Sequence, residues 1–177
     1  RYDGVRSLLE SRGITLPDGD PSDSPDTPTV AGLGNRKNAA FNETLAAEGV
    51  VAYPASVAFL DEVQKRGDAV AVVSSSKNAP LVLRAAGLAD RFTVVIDGQV
   101  ATDLGIPGKP SPATYEHAAS VLGIPTEQSA VIEDAESGVE AGAAGDFGVV
   151  IGVDRGVGRD TLDRLGADLV VDELDEL

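Results

Sequence analysis

Cysteine, methionine and tryptophan are all missing from the 177 residues, and aromatic residues of any kind make up only 4%. Without cysteine there is no disulfide, no thiolate nucleophile and no Cys-ligated zinc or iron–sulfur centre. With so few aromatic rings the core must be built from Val, Leu, Ile and Ala. At 42% hydrophobic residues there is enough apolar material for such a core, which excludes wholesale disorder. Long apolar runs are absent too, so no transmembrane span is expected, and no signal-peptide pattern opens the chain. The expected location is the cytoplasm. Basic residues are scarce: 14 Lys and Arg stand against 29 Asp and Glu, for a net charge of −15. A surface that acidic repels phosphate backbones and anionic lipid, so neither nucleic acid nor membrane is expected as a partner. Lysine is rarest, with 4 against 10 Arg, and each one repays locating.

The chain changes texture near residue 53. Before it, residues 1–12 read as a helix with Val5, Leu8 and Leu9 at helical spacing. Residues 16–28 follow, with four prolines and four aspartates among Ser and Thr, and cannot be regular structure. Residues 35–48 are helical again. After it, short Val/Ile-rich runs alternate with helical segments: strands at 69–73, 93–96, 129–132, 147–151 and 168–171, and helices at 56–67, 79–86, 112–122, 137–144 and 159–165. Strands apolar on both faces and separated by helices specify a parallel sheet covered on both sides. The expectation is an α/β fold, a doubly wound parallel sheet over residues 53–177, with a partial helical cap in residues 1–52. The acidic run 172–176 reads as a solvated tail.

In such sheets ligands bind beyond the carboxyl ends of the strands. That rim carries Ser74-Ser75-Ser76-Lys77-Asn78, Asp97, Glu133-Asp134 and Asp154-Arg155. The serines either cap the next helix or offer hydroxyls and N–H groups to a phosphate. Two adjacent carboxylates at a buried strand end repel each other and lose hydration, costs that a hard cation such as Mg²⁺ relieves; the alternative is a pair that caps the following helix. Lys109, between Gly108 and Pro110, is either a surface lysine or a placed cation. Three of the four lysines, Lys37, Lys77 and Lys109, sit in polar clusters, which favours placement. A dinucleotide fingerprint at Gly32-Leu33-Gly34 is excluded by the lack of a preceding strand, and no Gly-x-Ser-x-Gly nucleophile elbow occurs.

Ala71-Val72-Val73-Ser74, then Gly108-Lys109-Pro110, then Val131-Ile132-Glu133-Asp134 with Gly138 following, resemble the ordered second, third and fourth motifs of the haloacid dehalogenase (HAD) superfamily. The run Ser74–Asn78, with Tyr53-Pro54 upstream, is similar to the β-phosphoglucomutase-like branch of that superfamily. The resemblance implies Mg²⁺-dependent phosphoryl transfer on a phosphorylated sugar through an aspartyl-phosphate. It implies that Ser74 hydrogen-bonds the transferring phosphoryl group and that Lys109 neutralises charge on it. It gives Glu133 and Asp134 the metal, and Ser75, Ser76, Lys77 and Asn78 contacts to the substrate's phosphate or sugar. It makes residues 1–52 part of a cap, with Arg36 and Lys37 in the cap's polar cluster and Arg1 as a phosphate-reaching arginine. Ala135 departs from the pattern, since relatives often carry Ser after the acidic pair.

The family's nucleophile is an Asp-x-Asp at the end of a first strand, and no such strand is legible here. Asp18-Gly19-Asp20 has the spacing but sits in the Pro/Ser/Asp loop. With Arg at position 1 and no Met, the expectation is that the nucleophile lies in a segment outside this sequence, and that its strand leaves two unpaired interior edges. A catalytically inactive domain of the same fold is the alternative. A receiver-like signalling domain would place its acidic pair after the first strand and its lysine last, the reverse of the order seen.

Overall fold

A computed structural model describes residues 2–177, which divide into two compact units, 2–50 and 51–177. In the first, helix α1 (Tyr2–Glu10) packs on α2 (Val30–Glu48) around Val5, Val30 and Ala31. The proline-rich loop between them is irregular but well tied. Thr29 caps α2 by accepting from the Gly32 N–H at 3.0 Å, and its hydroxyl donates to Asp23 at 2.6 Å. The Asn35 amide donates to the carbonyls of Pro21 and Asp23, and the Tyr2 hydroxyl donates to Asn35 at 3.1 Å. Helix α2 begins five residues earlier than the sequence pattern indicates. Its first turns contain Gly32 and Gly34, poor helix formers. A Cβ at Gly32 would overlap the Thr27 carbonyl, so close approach of the loop selects glycine there.

In the second unit the elements alternate as expected: α3 (Pro54–Lys65), β1 (Ala71–Val73), α4 (Ala79–Ala85), β2 (Val94–Ile96), α5 (Gly98–Leu104), α6 (Ala113–Leu122), β3 (Ala130–Glu133), α7 (Glu136–Ala143), β4 (Val149–Val153), α8 (Arg159–Arg164) and β5 (Leu169–Val171). Helix α5 is not legible from apolar periodicity. It is specified by its ends: Asp97 accepts from the N–H groups of Gln99 and Val100, both at 2.9 Å, and Gly105 closes it with φ 65°. Asp97, expected on the ligand rim, is thereby a buried helix cap.

All strand pairs are parallel, and they form two sheets, β1-β2 and β3-β4-β5. Val131, Val139, Ala141, Val150, Leu162 and Ala167 form the core on one face of the larger sheet, under α7 and α8. Ile151, Val153, Val171 and Leu174 form it on the other, against Phe59 of α3. Helix α6 packs on β1 and β2. The segment 172–176 is not a solvated tail: Leu174 is buried and Glu173 and Glu176 form a capping box. The run of acids hid one anchoring leucine.

No strand hydrogen bonds join β1 to β3 among the described residues, so each has one unpaired edge. The Ser74 N–H donates to Ile96 in β2 at 2.9 Å. Peptide planarity then turns the Val73 carbonyl of the same unit away from β2, towards the open edge.

Leu162 is the largest fully buried side chain, and Leu104 is half exposed. Leu162→Ala is expected to cost about 2–5 kcal/mol, and Leu104→Ala within about 0.5 kcal/mol of zero. Urea unfolding of the two variants checks this.

Candidate active site

Three segments of the second unit meet at the carboxyl ends of β1 and β3. The loop before α6 brings Lys109, which follows Gly108 and precedes Pro110 across a cis peptide bond. The end of β1 brings Val73 and Ser74, and the end of β3 brings Glu133. The Lys109 ammonium donates to the Val73 carbonyl at 3.1 Å and to Glu133 Oε2 at 2.6 Å. It thus bridges the two sheets. The Lys109 side chain is only 8% exposed and that of Glu133 12%, so this is a buried ion pair and not a surface lysine.

Glu133 is fully engaged. Oε2 also accepts from the Tyr115 hydroxyl at 2.7 Å, while Oε1 accepts from the N–H groups of Asp134 and Ala135, both at 3.1 Å. Those four donors match the four lone-pair positions of a carboxylate. Burial acts to raise the Glu133 carboxyl, but the Lys109 ammonium and the hydrogen bonds outweigh it and hold it below the ordinary carboxylate range. Its place depends on Gly138, one turn into α7, where a Cβ would overlap the carboxyl group. Ala135, at the N-cap position of α7, offers that helix no side-chain cap.

Asp134 is the other kind of carboxylate. It stands exposed. Partial loss of hydration and the Glu133 charge next to it push its carboxyl above the ordinary range, against the opposing pull of Arg155. A hard cation relieves that repulsion, and Asp134 supplies the oxygen donor such a cation takes. No three acidic or histidine groups converge among the described residues, so Asp134 would share a divalent cation with donors from elsewhere.

Arg155 follows β4, forks onto Glu173 and stacks over the Tyr53 ring, 3.8 Å from its centroid. Arg155 and Tyr53 line a hollow with Ile132, Glu133 and Asp134. On the β1 side, Ser74 is half-buried and its hydroxyl accepts from the Ser76 N–H at 3.2 Å. Ser75 and Ser76 are exposed, and Ser76 accepts from the Asn78 N–H at 3.1 Å. Lys77 donates to Gln99 at 3.1 Å. Asn78 precedes α4 without a side-chain cap bond, so capping does not account for it. Arg36 and Lys37 lie exposed on α2 in the other unit. Arg1 lies outside the described residues.

Sequence reasoning missed Tyr115, which reads as one more apolar position of a buried helix, and gave Arg155 no role. The signal for Tyr115 was its place six residues after Lys109, at the start of a helix that the lysine loop feeds.

An α/β core with parallel strands, a rim lysine paired to a strand-end acid and a preceding hydroxyl defines a phosphoryl-handling class of enzyme. The chain belongs to the haloacid dehalogenase-like hydrolase family, whose family model matches residues 3–146. Within that family it is 47% identical over 182 aligned positions to the β-phosphoglucomutase of Mycobacterium tuberculosis, an alignment that takes in the whole chain and 69% of that protein. The structure of a β-phosphoglucomutase from Clostridium difficile shares its fold, with a TM-score of 0.79 at 23% identity over 100% of this chain and 72% of that one. A HAD family hydrolase from Deinococcus radiodurans R1, solved with bound phosphate and sodium, matches at 30% identity and a TM-score of 0.70 over 99% of this chain and 72% of that one. No helix among the described residues is long and apolar enough to cross a membrane.

Removing Lys109 while keeping its bulk leaves Glu133 buried without its cation. Lys109→Met is expected to destabilise the chain by about 3–5 kcal/mol at pH 7. In the wild type the Glu133 carboxyl is lowered, so its contribution is lost as pH falls below the ordinary carboxylate range. In Lys109→Met burial raises the same carboxyl, so the penalty is relieved as pH falls. The stability difference between the two proteins therefore narrows from pH 7 towards pH 4, which urea unfolding at both pH values measures.

Proposed function

We propose that this chain carries most of a Mg²⁺-dependent enzyme that transfers a phosphoryl group to or from a phosphorylated sugar, with its aspartate nucleophile on a strand outside these residues. The observation that carries the reading is the lysine bridge. Lys109 donates to Val73 at the end of β1 and to Glu133 at the end of β3, which holds its positive charge at the rim where Ser74 follows Val73. The unpaired edges of β1 and β3 among the described residues would take the nucleophile strand, which supports this reading.

In this reading a carboxylate oxygen of the missing aspartate attacks phosphorus as the bond from phosphorus to the sugar oxygen breaks, and an acid two residues further on protonates that oxygen. Water or a second sugar hydroxyl then takes the phosphoryl group from the aspartate. Ser74 and Lys109 bind the phosphoryl oxygens throughout, so their work is positioning and charge neutralisation. Asp134 would hold Mg²⁺, with Glu133 fixing the backbone behind it, and the bound cation supplies positive charge between nucleophile and phosphoryl group. Ser75, Ser76, Lys77 and Asn78 are assigned to the rest of the substrate. The phosphate bound in the 30%-identical hydrolase supports a phosphate-binding rim.

A non-catalytic domain of the same fold is the second reading, favoured by the lack of any strand ending in Asp-x-Asp among the described residues. Turnover of a hexose phosphate separates them. The 177-residue chain alone is expected to be inactive, and the protein carrying an Asp-x-Asp strand active. Turnover by the chain alone overturns the missing nucleophile, and failure of the strand-bearing protein establishes the second reading. In the active protein Asp134→Asn is expected to raise the Mg²⁺ concentration for half-maximal rate by at least about tenfold, while Asp90→Asn leaves it unchanged. Equal Mg²⁺ titrations for Asp134→Asn and wild type refute the metal assignment.

A further inference from the structure

We propose that Tyr115 is a positioning residue for Lys109, acting from two sides: through its ring face and through the Glu133 oxygen that the two side chains share. The Lys109 ammonium lies 4.6 Å from the Tyr115 ring centroid, within the range at which a cation is held by a ring's electron-rich face. The Tyr115 hydroxyl and the Lys109 ammonium both donate to Glu133 Oε2, at 2.7 and 2.6 Å. A lysine side chain has four rotatable bonds and a spherical charge, so one carboxylate fixes its distance but not its direction. The Val73 carbonyl, Oε2 and the ring centre together fix the ammonium from three directions.

Packing alone does not account for this tyrosine. Its ring meets Phe147 edge-on at 6.0 Å and joins the apolar core, a task that phenylalanine performs as well. The hydroxyl is the group that phenylalanine lacks, and here it lies buried against a charged acceptor. Burial, reinforced by the Glu133 charge, raises the phenol well above its ordinary value, so it stays a donor throughout the working pH range. With the hydroxyl bound, Oε2 cannot rotate away and take Lys109 with it.

The functional consequence rests on Lys109 facing the phosphoryl group, but the positioning can be measured without turnover. Trace acylation with acetic anhydride, read by peptide mass spectrometry, gives the reactivity of Lys109 relative to Lys37, Lys65 and Lys77 in the same molecule. Tyr115→Phe, which keeps the ring, is expected to raise Lys109 reactivity about 2- to 5-fold, and Tyr115→Leu, which removes both contacts, about 10-fold. Phe147→Leu disturbs the same core without touching Lys109 and is expected to leave the ratio within about 2-fold of wild type. An unchanged ratio in folded Tyr115→Leu overturns the proposal, as does an equal rise in Phe147→Leu. Should Tyr115→Leu fail to fold, Tyr115→Phe decides, and a ratio equal to wild type overturns it. Inorganic phosphate tests the other reading separately. If phosphate does not protect Lys109 while the Tyr115 effects persist, the phosphoryl role fails and the positioning stands.

Discussion

A single buried ammonium ties the two halves of the sheet together. Lys109 donates to the edge carbonyl of Val73 in one sheet and to Glu133 in the other, across an interval that no strand hydrogen bond spans among the described residues. An isolated buried charge carries a heavy desolvation penalty, so the lysine is tolerable only because Glu133 faces it. Glu133 in turn is tolerable because four donors surround it, and it reaches them because residue 138 has no side chain. A buried ion pair of this kind adds little net stability over apolar side chains of similar volume. What it supplies is a cation held in one place at the mouth of the sheet, and the surrounding construction is intelligible as the means of holding it there.

The alternation of Val/Ile runs with helical segments made the α/β architecture legible, since strands covered on both faces admit few other partners. Elements defined by their ends were not. Helix α5 has no apolar stripe and is specified by the Asp97 and Gly105 caps, a signal that was present but outweighed by its weak periodicity. Helix α2 hid its first turn behind two glycines, one of which, Gly32, is there because a loop carbonyl presses on the helix. Leu174 was lost among acids whose pairing partners lie far away in sequence. The rim residues were legible because they fall at strand ends, but their division of labour was not. Nothing in Glu133-Asp134 says which carboxylate turns inward. That is settled by Lys109 and Tyr115, 24 and 18 residues upstream.

Two adjacent carboxylates are thereby driven apart in character. The inner one is enclosed by four donors, one of them a cation, and its proton is easily lost. The outer one faces a negative neighbour with part of its hydration gone, and holds its proton more tightly. The inner acid spends every lone pair on protein groups, so it acts on the chemistry only through what it positions. The outer acid has the unrelieved charge, and an external cation stabilises it most. In the proposed reading the same sequence motif thus contains a scaffold residue and a ligand residue, distinguished by surroundings and not by chemical type.

A net charge of −15 is at first sight a poor setting for an anionic substrate. Distance and screening resolve the conflict. At physiological ionic strength exposed charges are damped over about 8 Å, so carboxylates scattered over the surface contribute little field at the rim. Lys109 is enclosed, where water and salt screen it least, and its charge is met within the protein by one carboxylate that three further donors stabilise. In the proposed reading a phosphoryl group therefore meets a preset cation and pays little to orient it. The surplus of acid on the outside leaves that interaction intact and discourages anions that lack a group able to enter the cleft. Placement of a few cations, and not their number, decides what an acidic protein of this kind binds.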